Sequence, residues 1–421
     1  TGLDAAGRVV LRAQDDLVLG DKSLTSASAQ GSGGQVVAQS LAGTTLVSGQ
    51  VAATSSQGHG GSVHLLGQRV GIQGQALVDA SGASAGGAVL VGGDYQGSNP
   101  LVPNAQAAYV GPEVTLRADA TAHGDGGKLI VWSDQATRVY GSLSARGGPG
   151  GGNGGLIETS GAYLDARPAS VDATAHKGKP GTWLLDPNDI LIALREINSN
   201  IDDGTTQWTT TGDSAVVSTA ILESALLQGQ NVVVRTGSAG SNSQAGDITV
   251  ADSIIVFCGS TSACTPGSLT LQAHRDIILE PDVQITTESG AMPLSLKAYG
   301  GSILIQGGAV LDSGAGGIVF QASQGIVLEA GARLSSSAPG DAIVLRSSRF
   351  DNQAGSLALN ALNPSGRWLI HTDGITSTQL GGLTYQFLQF NVGPTTDPTQ
   401  PSGNGVLYAE ALDLQGSILR V

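Results

Sequence analysis

A two-glycine step recurs down the first half of this 421-residue chain, each time followed by a short β-prone run. It reads Gly33-Gly34 before Gln35-Val36-Val37, then Gly60-Gly61 before Ser62-Val63-His64-Leu65, then Gly86-Gly87 before Ala88-Val89-Leu90-Val91. Gly126-Gly127 before Lys128-Leu129-Ile130-Val131 and Gly154-Gly155 before Leu156-Ile157 complete the series. Counted from the second glycine, the intervals are 27 (34 to 61), 26 (61 to 87), 40 (87 to 127) and 28 (127 to 155). A period of this size marks a solenoid. Each coil of a solenoid contacts mainly its neighbours, so its core grows lengthwise without the division into compact domains that such a length otherwise implies.

A second register follows. Leu269-Thr270-Leu271-Gln272-Ala273 is echoed at Leu294, Ile318, Ile343 and Trp368, with spacings of 25, 24, 25 and 25 residues. Each unit contains further short strand runs, such as Ile303-Leu304-Ile305 and Ala309-Val310-Leu311. Three short strands per coil of about 25–27 residues predict an all-β fold, a parallel β-helix, with Leu269 and Leu271 inward and Thr270 outward. Parallel crossovers are overwhelmingly right-handed, so a right-handed solenoid is expected. Leucine-rich repeats carry an Asn-bearing consensus and a helix per repeat, and neither is present in the pattern.

Two breaks in the period divide the chain. Residues 1–194 read as glycine-cornered coils, with a protruding loop at 92–113 where the 40-residue interval adds Gly, Asn and Pro. Residues 195–247 read as an insertion holding a short amphipathic helix at 218–228, capped by Ser218 and stopped by Gly229, with Ile221, Leu222, Ala225 and Leu226 on one face. Residues 248–390 read as 25-residue coils closed by an aromatic cap over Leu383–Phe390, and residues 391–421 as a loop with final strands. The start at Thr1-Gly2-Leu3-Asp4 lacks the charged and apolar parts of a signal peptide, so a piece of a longer exported polypeptide is expected.

Composition narrows the partners. With 34 acids against 20 bases the net charge is −14, which argues against nucleic-acid binding and against a polybasic membrane contact. No apolar run approaches the roughly 18 residues of a membrane span, so no membrane insertion is expected. The two cysteines, Cys258 and Cys264, are separated by five residues in a turn-rich bridge and predict a local disulfide. Two sulfurs without a nearby histidine lack the four ligands of a structural metal site.

Catalytic patterns are weak. Gly82-Ala83-Ser84-Ala85-Gly86 fits a nucleophile elbow, but it falls on the recurring corner rather than on a strand-to-helix turn. Gly150 to Gly155 formally fits a phosphate-binding loop, yet a strand follows it. Asp186-Pro187-Asn188-Asp189 reads as a turn, and the six histidines show no ligand spacing. No catalytic residue, metal or cofactor is therefore assigned. Aromatic side chains able to stack on sugars are Tyr95, Tyr109, Trp132, Tyr140 and Trp208, while Trp183 and Trp368 open apolar strands and read as core. Asp94, Tyr95, Asn99, Asn104 and Tyr109, in and beside the long loop, are the candidate ligand-binding residues.

The runs Gly126-Gly127-Lys128-Leu129-Ile130-Val131-Trp132-Ser133, Gly154-Gly155-Leu156-Ile157-Glu158-Thr159-Ser160-Gly161 and Gly181-Thr182-Trp183-Leu184-Leu185-Asp186-Pro187 closely resemble the exoproteins of two-partner secretion. These are the filamentous-haemagglutinin-like adhesins of Gram-negative bacteria. Gly366-Arg367-Trp368-Leu369-Ile370 through Gly405-Val406-Leu407-Tyr408 is similar to the end of their β-helix, which precedes a stalk not included in this chain. The resemblance implies export through an outer-membrane partner transporter and retention at the outer cell surface. It also implies adhesion or biofilm cohesion, through extracellular polysaccharide, a host glycan or a host surface protein. A monomeric, non-catalytic segment is expected. The competing expectations are a structural spacer displaying a distal binding or toxin domain and, further off, a polysaccharide-degrading β-helix enzyme.

Overall fold

The computed structural model describes residues 2–3, 8–167, 170–194, 214–237, 244–257, 265–393, 395–400 and 402–412. The chain forms two compact units, Thr1–Ala245 and Gly246–Val421, and each is a parallel β-solenoid with three strand positions per coil. In the amino-terminal unit the first sheet stacks Val9–Ala13, Gln35–Ser40, Ser62–Leu66, Ala88–Val91 and the first halves of Lys128–Val139 and Leu156–Ala166, followed by Thr182–Asp186 and Asn231–Arg235. Its register pairs Val36 with Val63, Val63 with Val89, and Leu129 with Ile157, so the ladder repeats the glycine spacing read from the sequence. The third sheet has six short strands, from Leu24–Ser26 to Ser170–Asp172. Its inward positions, among them Val51, Val78, Leu116 and Leu143, are buried.

The glycine pairs are explained by how closely the coils approach. The second glycine donates its N–H to the alanine that closes the preceding third-sheet strand: Gly61 to Ala53 (2.6 Å), Gly87 to Ala80 (2.8 Å), Gly127 to Ala118 (2.7 Å) and Gly155 to Ala145 (2.7 Å). Those four alanines are completely buried. A Cβ on either glycine of the later steps would run into a backbone carbonyl of an adjoining coil, such as Ala118 O for Gly86 or Gly87 O for Gly127. Side-chain rotation cannot relieve a clash with backbone.

The second sheet of this unit departs from simple coil order. Ser214–Val217 pairs with the end of Leu156–Ala166 on one side and with Asp189–Ile192 on the other, so a later strand sits between two earlier ones. The helix Thr219–Leu227 then takes the place of a third-sheet strand, with Leu222, Ala225 and Leu226 buried and Ile221 half-buried. Ser218 stands extended at its start without a side-chain capping bond, and Gly229 beyond its end has φ +82°. Gln230, wholly buried, finishes the sheet: its Nε2 donates to Val171 O (2.7 Å) and its Oε1 accepts from Ala173 N (2.8 Å). One side-chain amide thus mimics a peptide unit and satisfies the open end of the ladder. Within the expected 195–247 insertion, the described stretch 214–237 thus supplies two ladder strands, Ser214–Val217 and Asn231–Arg235, with the helix between them.

In the carboxy-terminal unit the first sheet stacks Leu269–Ala273, Leu294–Ala298, Ile318–Ala322, Gly340–Arg346 and Gly366–Thr372. Leu269 and Leu271 face the core and Thr270 faces outward, as the alternation predicts. The same intercalation closes this unit, because Gly405–Tyr408 lies between Gly366–Thr372 and the earlier strand Phe387–Gln389. Val344, Leu369 and Leu407 point outward from the sheet and are covered by Val392 and Phe387 of the tail segment. Of the expected aromatic cap, Phe387 thus covers the sheet's outer face, while Phe390 packs against Tyr408 with ring centroids 5.1 Å apart. Trp183 and Trp368 are core residues, 0% and 2% exposed.

Candidate functional site

The 40-residue interval folds down rather than out. Its excursion spans residues 92–106, since Ala107–Val110 is already a second-sheet strand, and it lies on the outer face of the first sheet. The reason is apolar surface: Leu66, Leu90 and Ile130 all point outward, and Val102 of the loop covers them beside Trp132 and Leu156. Gly93 and Gly97 let the loop rest on the Trp132 indole, which an added Cβ at either position would strike. Trp132 Nε1 donates to Asp134 Oδ1 (3.1 Å), and the same oxygen accepts from Asn104 Nδ2 (2.9 Å).

The polar candidates of the loop are engaged with one another. Asp94 caps a short turn over Tyr95–Gly97, accepting from Tyr95 N (2.8 Å), Lys128 Nζ (2.6 Å) and Asn99 Nδ2 (2.8 Å). Burial works to raise its pKa, but the bonds from Asn99, Lys128 and Tyr95 outweigh it and hold the carboxyl at about 2. Asn104 also donates to Gly97 O (3.0 Å). Outward-facing apolar and aromatic surface remains: Tyr95 is 39% exposed and Leu101 89% exposed.

Beneath the loop lie two carboxyls: Glu158, which the sequence reading did not single out, and Asp186, which it read only as part of a turn. Glu158 stands in the outward ladder between Ile130 and Leu184 and is completely buried. Gln96 N donates to both of its oxygens (3.1 and 3.2 Å), while Gln96 Nε2 donates to Asp186 Oδ2 (3.1 Å). Gln96 holds this position in a left-handed backbone conformation, φ 53° and ψ 25°, which costs a non-glycine residue about 1 kcal/mol. Burial pushes Glu158 up to about 7 against the Gln96 bond, with Asp186 and Asp94 adding to the rise. Burial likewise raises Asp186 to about 6, opposed by Arg235 and Gln96. The available signal was the run of outward apolar residues at Leu90, Ile130 and Leu184, which requires a cover.

Tyr109 belongs to a different surface. It lies on the second sheet, with its ring 6.0 Å from Tyr140 in an edge-on arrangement, and Arg167 sits 5.2 Å over the Tyr140 ring. Tyr140 Oη donates to Asp165 Oδ2 (2.7 Å), and Arg167 grips the same carboxylate through Nε (2.8 Å) and Nη2 (2.7 Å). Burial first, then the Asp165 charge, drive Tyr140 up to about 12. The structure thus brings together Asp94, Tyr95, Asn99 and Asn104 and separates Tyr109 from them. Cys258, Cys264 and Trp208 lie outside the described residues.

Asp186 to Asp189 does join two strands as a turn, and Leu156–Ala166 follows the glycine run 150–155. Among the described residues no group of three or more His, Cys, Asp or Glu side chains is placed to hold a metal ion. No described helix is long and apolar enough to cross a membrane. Compared with known proteins, the chain matches no protein-family model and no curated protein.

Proposed function

We propose that this chain is a non-catalytic segment of a secreted bacterial surface adhesin, and that it attaches to polysaccharide or a host glycan through the loop at residues 92–106. The observation that carries this is the loop's rigidity. Asp94, Gln96, Asn99, Val102 and Asn104 all fix it to the sheet or to itself, while Tyr95 and Leu101 stay outward. A contact surface organised before binding loses little conformational entropy on capture, and tyrosine offers stacking area with few rotors. The sequence resemblance to filamentous-haemagglutinin-like exoproteins supports the same setting, with export through an outer-membrane partner and retention at the cell surface.

Tyr95→Ala with Leu101→Ser tests it. Both positions are exposed, so the change in stability is expected to stay within about 0.5 kcal/mol. Binding on a glycan array and attachment of coated beads to cells are expected to fall about tenfold or more. Unchanged attachment by the double variant overturns the loop as the contact surface. The spacer reading draws on the same locking, because every polar group that pins the loop also stiffens the coils under it. It is favoured if the wild-type chain binds no glycan or cell.

A further inference from the structure

We infer that the corner joining the third sheet to the first in the amino-terminal unit carries a second ligand site, one that takes a saccharide bearing a carboxylate or sulfate group. This rests on the attachment reading only in taking the ligand to be a carbohydrate. The corner is a stack of three loops. Gly148 N donates to Gly124 O (2.9 Å), Gly147 N to Thr174 O (2.9 Å), and Gly154 N to Lys179 O (2.9 Å). Between them opens a cleft of about 620 Å³ whose lining includes Thr121, Arg146, Pro149, Asp172, Thr174 and His176.

Arg146 is the fixed point. Asp119 lies behind it, its side chain only 5% exposed, and accepts from Arg146 N (2.8 Å), Nε (3.2 Å) and Nη2 (2.8 Å) as well as from Ser144 Oγ (3.1 Å). The carboxylate is committed to these donors, whereas half of the guanidinium side chain, 52%, remains exposed. A guanidinium held this way is already oriented for a planar anion. Asp172 flanks it at 3.8 Å from Nε and turns its other oxygen to Thr174 N (3.0 Å) and Oγ1 (2.6 Å). Asp125, exposed on the same corner, accepts from Asn153 N (2.7 Å).

Charge distribution supplies the ligand class. The chain has five lysines, Lys22, Lys128, Lys177, Lys179 and Lys297, in a protein of net charge −14. Lys177 and Lys179 lie one and three residues beyond His176, which lines the cleft, and both are exposed. Arg146, Lys177 and Lys179 balance Asp119, Asp125 and Asp172 by count, and all three carboxylates turn toward protein donors. With these carboxylates engaged, Arg146 in the cleft and the exposed Lys177 and Lys179 nearby in sequence are the groups able to meet an anion, with threonine, histidine and backbone groups for sugar hydroxyls. On an acidic protein such a spot selects an acidic sugar over a neutral one by charge complementarity.

The test titrates the whole chain with oligogalacturonate, dextran sulfate and neutral dextran. Binding to the carboxylated polymer, the sulfated one or both is expected, weakening as salt rises, with neutral dextran not bound. The two acidic polymers distinguish which group is read. The exposed triple substitution His176→Ala, Lys177→Ala, Lys179→Ala is expected to weaken acid-polymer binding about tenfold at an unchanged melting temperature. The Tyr95→Ala, Leu101→Ser protein is expected to keep that binding in full, so the loop reading and the cleft stand or fall separately. Equal binding of neutral dextran, binding of neither acidic polymer, or an undiminished triple variant overturns the site.

Discussion

Gly127→Ala is expected to destabilise the amino-terminal unit by about 3 kcal/mol or more, although it adds a single methyl group. The loss does not come from backbone strain, because Gly127 is not among the residues with positive φ. It comes from space. A Cβ at Gly127 would overlap Gly87 O and lie 2.8 Å from both Gly86 C and Gly87 N. Those atoms belong to the coil through which Lys128 N bonds Gly87 O (2.8 Å), so relief requires the two coils to separate. Separation in turn weakens the parallel ladder of Leu129 with Val89 and Ile157. Gly20→Ala is the matched control: nothing lies within 4 Å of the added methyl, and a neutral or slightly stabilising effect is expected. Urea unfolding followed by circular dichroism compares the two. Equal midpoints would show that the glycine pairs are not required by coil spacing.

The period was legible because each coil must present the same inward pattern to its neighbours, so spacing in the sequence becomes register in the ladder. Leu269, Leu294, Ile318, Ile343 and Trp368 are consecutive partners, as their spacing predicts. The long loop was found by its extra length, but its direction was not, since protrusion was inferred from Gly, Asn and Pro alone. Its direction follows from outward residues, Leu66, Leu90 and Ile130, that break the alternation a solvated face would show. Glu158 escaped notice for a related reason: an acid at an outward strand position ordinarily meets water. The intercalated placement of Ser214–Val217 and Gly405–Tyr408 had no local signal, because strand order is a long-range property that short apolar runs do not encode.

Glu158→Gln is expected to stabilise the amino-terminal unit at pH 8 and to leave it nearly unchanged at pH 5. The carboxyl's pKa rises from the ordinary 4.5 to about 7 in the folded chain, driven first by burial. The folded state therefore holds this proton more tightly than the unfolded state, and stability falls as pH climbs from about 4.5 to about 7. Fully developed above that range, the penalty is at most about 3 kcal/mol for a completely buried group. Glutamine keeps an acceptor for Gln96 N and removes the charge. A shallower slope remains from Asp186, raised from 3.8 to about 6, whereas Asp94, held at about 2, contributes in the opposite sense only below about pH 4. The carboxy-terminal unit should run the other way. His371, 3% exposed, is lowered from 6.5 to about 4 by burial first and then by Arg346, with Asp341 and Asp397 opposing. Its unit gains stability as pH rises from about 4 to about 6.5. Hydrogen exchange resolved along the chain separates the two: between pH 5 and pH 8, protection of Gln96 and the strand Leu156–Ala166 is expected to fall in the wild type and to hold in Glu158→Gln. Identical pH profiles for the two proteins would show that Glu158 is not the buried acid governing the loop.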